Sequence, residues 1–397
     1  MNDSFTLRPG MLLGSLLLLV TILIATTPAA CGGASNTASS PSSPTPSGSP
    51  LVTLSPAPAV MATCPPGAKP DSPGSALQLR PELDVPAGVA MDSQSGRVVA
   101  FDAGSATTWT FDVCTNTWQR MRPAQEPALG RRARLVYDAD ADLTIAFPVD
   151  GNALWTYSVE ANKWTQLPAS ASSPDTFWTL GDLVYDPSSG DVLLRDSKTT
   201  GLWSYAVETN TWTQVDQGGD VPAENPGQQG GEPHFHSLLT YDAVVDRLVL
   251  TLLGDAMQRD GTWSFDPGAG AWTNQKSRPP ALNTGYVESG GEAVFDAARG
   301  VTVAFSDGVL ATYDAGADEW TTVKPGPGWP RMDAADDMPT GPLARLGHWL
   351  VYDPVNERIV MLGGQARMLK GWRDLDDVWA YDLSTNSWLR LVPPRPW

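Results

Sequence analysis

Between about residues 84 and 392, apolar and polar positions follow one pattern six times over. Each unit opens with a short apolar run closed by aspartate: Val89-Ala90-Met91-Asp92, Leu135-Val136-Tyr137-Asp138, Leu183-Val184-Tyr185-Asp186, Leu239-Thr240-Tyr241-Asp242, Ala293-Val294-Phe295-Asp296 and Leu350-Val351-Tyr352-Asp353. A buried-type run follows after a few polar residues: Val98 to Phe101, Leu143 to Phe147, Val192 to Leu194, Leu248 to Leu253, Val301 to Phe305 and Ile359 to Leu362. Aromatics with a period of two come next, such as Trp155 and Tyr157, then a polar turn and one more tryptophan. Period-two alternation with β-branched runs, broken by Asp, Asn, Gly and Pro, predicts strand, short turn, strand, loop, strand, turn, strand in every unit.

The final tryptophan is the firmest column: Trp118, Trp164, Trp212, Trp272, Trp320 and Trp388. Seven residues earlier stand Phe111, Tyr157, Tyr205, Phe265, Tyr313 and Tyr381, and two before those stand Trp109, Trp155, Trp203, Trp263 and Trp379, with Ala311 in the fifth unit. Units with this periodicity mark a repeat architecture. A four-stranded sheet with apolar residues on both faces cannot stand alone in water, whereas a closed ring of such sheets buries both faces and leaves only short outer edges. The sequence therefore predicts an all-β fold, a six-bladed β-propeller of four-stranded antiparallel blades spanning residues 76–397. Each blade has its own four strands, so the ring should close without borrowing one from the far terminus.

The last unit carries a family resemblance. Arg345-Leu346-Gly347-His348, Tyr352-Asp353, Ile359-Val360-Met361-Leu362-Gly363-Gly364, Val378-Trp379-Ala380-Tyr381-Asp382 and Asn386-Ser387-Trp388 resemble the Kelch repeat of galactose oxidase central-domain propellers. The likeness runs over roughly residues 84 to 392, although the double glycine survives only at Gly363-Gly364. The resemblance implies a propeller and leaves function open, because such propellers serve enzymes and binding proteins alike. A copper radical site of the galactose oxidase kind needs two tyrosines, two histidines and a cysteine cross-linked to tyrosine. This chain has three histidines, and Cys114 falls in a turn between the third and fourth strands. No cofactor and no metal site are expected. Neither a sialidase-type Ser-x-Asp-x-Gly-x-Thr-Trp box nor a Gly-x-Ser-x-Gly elbow is present.

Residues 1–30 read as a signal peptide, with Arg8 ahead of an uncharged run from Met11 to Ala30. Thr27-Pro28-Ala29-Ala30-Cys31 resembles a bacterial lipoprotein lipobox, with Pro28 in place of the usual leucine, and implies lipidation at Cys31. Ordinary cleavage and an uncleaved anchor are the alternatives. All three place the protein outside the cytoplasm, in the cell envelope, and the first makes it a membrane-anchored lipoprotein. Residues 31–75, rich in Ser and Pro, are expected to be a solvated tether. With Cys31 lipidated, Cys64 and Cys114 remain as a candidate disulfide in an oxidising compartment, the alternative being two unrelated thiols.

Charge narrows the partners. A net of −18 disfavours nucleic acid. The loops joining one unit to the next are variable and three are long, about Asp216 to His236, Gln275 to Gly290 and Lys324 to Gly347; the strand beginnings beneath them carry Arg131, Arg132, Arg134, His234, His236, Glu288, Glu292, Arg345 and His348, taken as a mixed-charge candidate binding set near the axis. His234 and His236 could share a strand face as metal ligands, though the simpler reading makes them loop residues. His348 is expected to make a structural hydrogen bond. The expected function is a non-catalytic module that binds an unidentified protein or glycan, with the membrane reached through a lipid anchor. The alternative is a carbohydrate-active propeller enzyme, epimerase- or hydrolase-like.

Overall fold

The computed structural model describes residues 61–83, 88–129, 133–148, 153–170, 172, 182–196, 200–218, 221, 237–253, 261–280, 282, 292–306, 308–324, 341–368 and 371–395. The expected signal peptide, Cys31, Arg131, Arg132, His234, His236 and Glu288 lie outside them.

Six four-stranded antiparallel sheets form, each from strands consecutive in the chain. Blade one is β1 (Gly88–Asp92), β2 (Arg97–Asp102), β3 (Thr107–Asp112) and β4 (Thr117–Arg120); blade two is β5 (Ala133–Asp138), β6 (Leu143–Pro148), β7 (Trp155–Ser158) and β8 (Lys163–Gln166). Blade three is β9 (Asp182–Asp186), β10 (Asp191–Arg195), β11 (Leu202–Ala206) and β12 (Thr211–Asp216); blade four is β13 (Ser237–Asp242), β14 (Arg247–Leu252), β15 (Gly261–Asp266) and β16 (Ala271–Asn274). Blade five is β17 (Glu292–Asp296), β18 (Val301–Ser306), β19 (Val309–Asp314) and β20 (Glu319–Lys324). Blade six is β21 (Trp349–Asp353), β22 (Arg358–Leu362), β25 (Val378–Asp382) and β26 (Ser387–Val392), with a small hairpin, β23 (Gln365–Met368) and β24 (Gly371–Asp374), inserted between its second and third strands. The first strands touch their neighbours in order, and β1 meets β21, so the ring is closed.

The tryptophan column fills the wedges between blades. Trp164 meets Phe101 of the preceding blade at 6.1 Å, Trp212 meets Phe147 at 5.9 Å and Trp388 meets Phe305 at 6.0 Å, all edge to face. Within each blade the tryptophan also packs on its partner seven residues earlier, as Tyr157 on Trp164 at 4.8 Å. Burying one such ring contributes about 2–3 kcal/mol, which explains why this column stays constant while other positions drift.

The aspartate column has a different cause. Asp92, Asp138, Asp186, Asp242, Asp296 and Asp353 each end the first strand, and each side chain accepts the backbone N–H groups two and three residues on. Every such turn then contains a residue with positive φ: Gly96, Asp142, Gly190, Asp246, Gly300 and Glu357. The third-to-fourth turns place Asn116, Asn162, Asn210, Gly270, Asp318 and Asn386 in the same conformation. Gly, Asn and Asp tolerate it best, and Glu357 is the exception.

Residues 61–83 form a strap without regular strands, lying across the seam between blades one and six. On blade one, Cys64 is disulfide-bonded to Cys114, the Asn116 amide donates to the carbonyls of Pro70 and Ser72, and Trp118 N–H donates to Gln78. On blade six, Gly74 N–H donates to Leu391 O at 2.7 Å, and Arg80 Nη1 donates to the carbonyls of Asp376 and Pro393. Arg358 of blade six donates to both Pro70 O and Val113 O, tying strap and blade one together. The strap begins inside the stretch 31–75 expected to be tether. Its order comes from these hydrogen bonds and one covalent link, so a Pro- and Gly-rich composition hid it. Gly363 and Gly364, both at positive φ, sit where the strap passes: a Cβ on Gly363 would lie 2.4 Å from Leu83 O. The double glycine thus has a local steric reason in blade six that the other blades, which the strap does not cross at this level, do not share.

Candidate binding site at the channel mouth

The six first strands enclose a central cavity of about 430 Å³, bordered by Val89, Leu135, Leu183, Leu239, Val294 and Val351 among others. These strands all begin on one face of the ring and end at the capped aspartates on the other. Four residues before the aspartates stand Gly88, Arg134, Asp182, Leu238, Glu292 and Trp349. This position rings one mouth of the cavity, and Ser237 joins it from blade four.

Arg134 and Glu292 belong to blades two and five, opposite each other in a ring of six. Arg134 Nη1 lies 3.4 Å from Glu292 Oε1, so the ion pair crosses the axis. The same guanidinium lies over the indole of Trp349 from blade six, 5.3 Å from the ring centroid, a cation–π contact. Burial pushes the Glu292 carboxyl up from its ordinary value, and the Arg134 charge offsets part of that shift. On the other side of the mouth, Asp182 accepts a short hydrogen bond from Ser237 Oγ, and Arg195 Nη1 approaches Asp182 to 4.0 Å and Ser237 to 3.5 Å. Arg195 is fully buried. In the other blades its register position holds Phe101, Phe147, Thr251, Phe305 and Leu362, so the arginine is specific to blade three. Trp349 is nine-tenths buried, and its indole N–H has no acceptor.

Of the candidate residues within the described part, the structure brings Arg134 and Glu292 together at the mouth and sends Arg345 and His348 elsewhere. Arg345 is fully buried in an ion pair with Asp377 at 2.7 Å and also donates to Gly363 O. Burial alone would raise the Asp377 carboxyl, but Arg345 and the Trp379 N–H hold it below its ordinary value. This pair supports the root of the β23–β24 hairpin. His348 lies between blades five and six against Phe305, ring centroids 5.1 Å apart. Burial first, then the Arg345 charge, push its imidazole down to about 3, so it is neutral. Backbone groups of Phe305 and Arg345 lie against the imidazole and offset a little of that shift, although neither ring nitrogen makes a hydrogen bond of ordinary geometry. Both residues are polar and close to a first strand, but a buried arginine whose partner lies thirty-two residues away cannot be recognised from sequence. Asp182, Ser237, Arg195 and Trp349 were missed, although the fixed distance to the capped aspartate would have found two of them. Among the described residues no group of three or more His, Cys, Asp or Glu side chains could hold a metal ion.

The family model for the Kelch motif matches residues 354–395, from the first turn of blade six to just beyond its last strand. With the six four-stranded blades, it supports a Kelch-type propeller. No curated protein sequence matches the chain. Among solved structures the chain is similar to one described as a nidogen/laminin complex, at 11% identity and a TM-score of 0.42, over 60% of this chain and 79% of that one. It is also similar to a structural genomics protein of unknown function from Bacteroides thetaiotaomicron, at 14% identity and a TM-score of 0.49, over 76% of this chain and 72% of that one.

Proposed function

We propose that this Kelch-type propeller is a non-catalytic, extracytoplasmic binding module, held to a membrane by a lipid on Cys31, that takes a polar group of a protein or glycan at the channel mouth. One observation carries the reading: charged and aromatic side chains from blades two, three, five and six converge over a cavity whose volume suits a small group. Mixed charge backed by an aromatic ring favours a polar ligand over an apolar one. A Kelch propeller fold is consistent with such a role. The strap leaves the mouth unobstructed at its start, since Ala62 N–H bonds to Ser93 O and Cys64 to Cys114, both in turns on the face opposite the mouth.

The test is capture from solubilised cell envelope with the purified chain, wild type against Arg134→Gln, Trp349→Ala and Asn210→Gly. The expected result is loss of captured material with the two mouth variants and retention with the turn variant. Capture that survives both mouth changes and disappears with Asn210→Gly would put the working surface on the other face.

A further inference from the structure

The Arg134–Glu292 pair is loosely made for so central a contact. One guanidinium nitrogen meets one carboxylate oxygen at 3.4 Å, and each side chain keeps about a quarter of its surface exposed, 23% and 25%. A guanidinium can hold a carboxylate through two parallel bonds, so Arg134 has capacity that Glu292 does not fill. Beside it, the Trp349 N–H is a buried donor without an acceptor. A second observation concerns charge. The chain carries a net −18, yet residues 365–374, the inserted hairpin of blade six, contain Arg367, Lys370 and Arg373 against Asp374 alone. This hairpin follows the second strand, which places it on the mouth face, and it exposes 47% of Trp372. The mouth face thus carries an exposed indole as well as the cavity at which the Trp349 N–H lacks an acceptor.

We propose that the mouth is a receptor for the carboxylate of an acidic saccharide, which takes the place of Glu292 on Arg134. The inference rests on the binding role above and adds the chemical class. The ligand carboxylate matches the group it displaces and can use both arms of the guanidinium, while the Trp349 N–H supplies a further donor. A cavity of about 430 Å³ holds a single sugar ring, and Trp372 offers a stacking face to the next. Displacement leaves the partly buried Glu292 without its counter-charge. Arg134 is the charged group that faces it, with Asp182 and Arg195 across the mouth, so Glu292 takes up a proton as the ligand binds. Affinity therefore rises as pH falls, until the ligand carboxyl itself protonates.

The experiment is titration calorimetry with tri-galacturonate and its methyl ester, which keeps the rings and removes the charge, in two buffers of different ionisation enthalpy. Wild type should bind the acid at least tenfold more tightly than the ester, with proton uptake. Glu292→Gln should bind the acid more tightly still and without proton uptake, and Arg134→Gln should no longer distinguish acid from ester. Circular dichroism and urea midpoints establish that the variants are folded. Equal binding of acid and ester, lost in Trp349→Ala, overturns the carboxylate assignment and leaves the binding module standing. Discrimination retained in Arg134→Gln overturns it also, as does binding of an oligoglutamate peptide in the absence of any for tri-galacturonate. Failure of all three ligands to bind either wild type or Glu292→Gln overturns it as well, whereas the binding role itself stands or falls on the envelope capture.

Discussion

On the face of the short turns, all six blades solve one problem in one way: an aspartate caps two backbone N–H groups, and a Gly, Asn, Asp or Glu takes positive φ. On the mouth face, the equivalent position of the first strand holds Gly88, Arg134, Asp182, Leu238, Glu292 and Trp349. One face is constrained by backbone geometry that every hairpin must satisfy. The other is free of that constraint, so its side chains are available for recognition. Constancy marks the scaffold here, and variation marks the surface proposed to bind.

The largest effect should come from a residue that lies near the mouth face yet belongs to the scaffold. Arg345→Ala leaves Asp377 charged and buried, and a loss of about 3–5 kcal/mol is expected in urea unfolding. A loss below about 1 kcal/mol would move Arg345 back among the recognition residues. On the opposite face, Cys64→Ser with Cys114→Ser removes a closure spanning 50 residues, and stability should fall by roughly 3–4 kcal/mol with the mouth unaffected. Ligand affinity that drops well below the unfolding midpoint in this variant would show the two faces to be coupled.

His348 gives a pH test with a definite sign. Its folded pKa, pushed down to about 3, lies below the value of 6.5 expected when unfolded. Below pH 6.5 the unfolded chain therefore binds a proton the folded chain refuses, and this contribution is lost as pH falls toward 3. Relative to His348→Leu, the wild type should lose about 1.4 kcal/mol per pH unit in that window. Parallel stability curves from pH 7 to 4 would mean that the imidazole is solvated after all.

Much of the scaffold was legible because packing and turn geometry ask for the same residue type at the same place six times. The tryptophan wedge and the capped aspartates repeat in sequence because they repeat in space. The strap was legible only at its Cys64–Cys114 link, since its other contacts run largely to backbone carbonyls such as those of Pro70, Ser72 and Leu83 that any sequence supplies. The mouth was half legible: Arg134 and Glu292 stood out as charges at strand beginnings, but their meeting depends on the ring placing blade two opposite blade five. Arg345 misled for the converse reason, because the same polarity serves a buried pair.

Two smaller effects refine the contrast. Tyr157 donates to Asn162 Oδ1 at 2.8 Å, as Tyr205 does to Asn210 and Tyr381 to Asn386. Phe111 and Phe265 stand at this place in blades one and four, so Tyr157→Phe should cost only about 1 kcal/mol, measured by urea unfolding. Glu292→Gln should change stability least, by under about 1 kcal/mol, since both partners remain partly hydrated. A larger loss would make the axial pair part of the scaffold and erase the distinction between the faces.

The strap also determines how the domain carries load. A pull on the chain ahead of residue 61 meets one hydrogen bond, Ala62 to Ser93, and then the Cys64–Cys114 bond, which passes the force covalently into the hairpin between β3 and β4. The hydrogen bonds from Asn116 to Pro70, from Gly74 to Leu391 and from Arg80 to Asp376 and Pro393 lie beyond that point in the chain and bear none of it. With the disulfide intact, tension cannot peel the strap from the seam residue by residue. Reduce it, and the same tension unzips the closure from its free end, so the oxidation state of one bond decides whether the ring withstands being pulled.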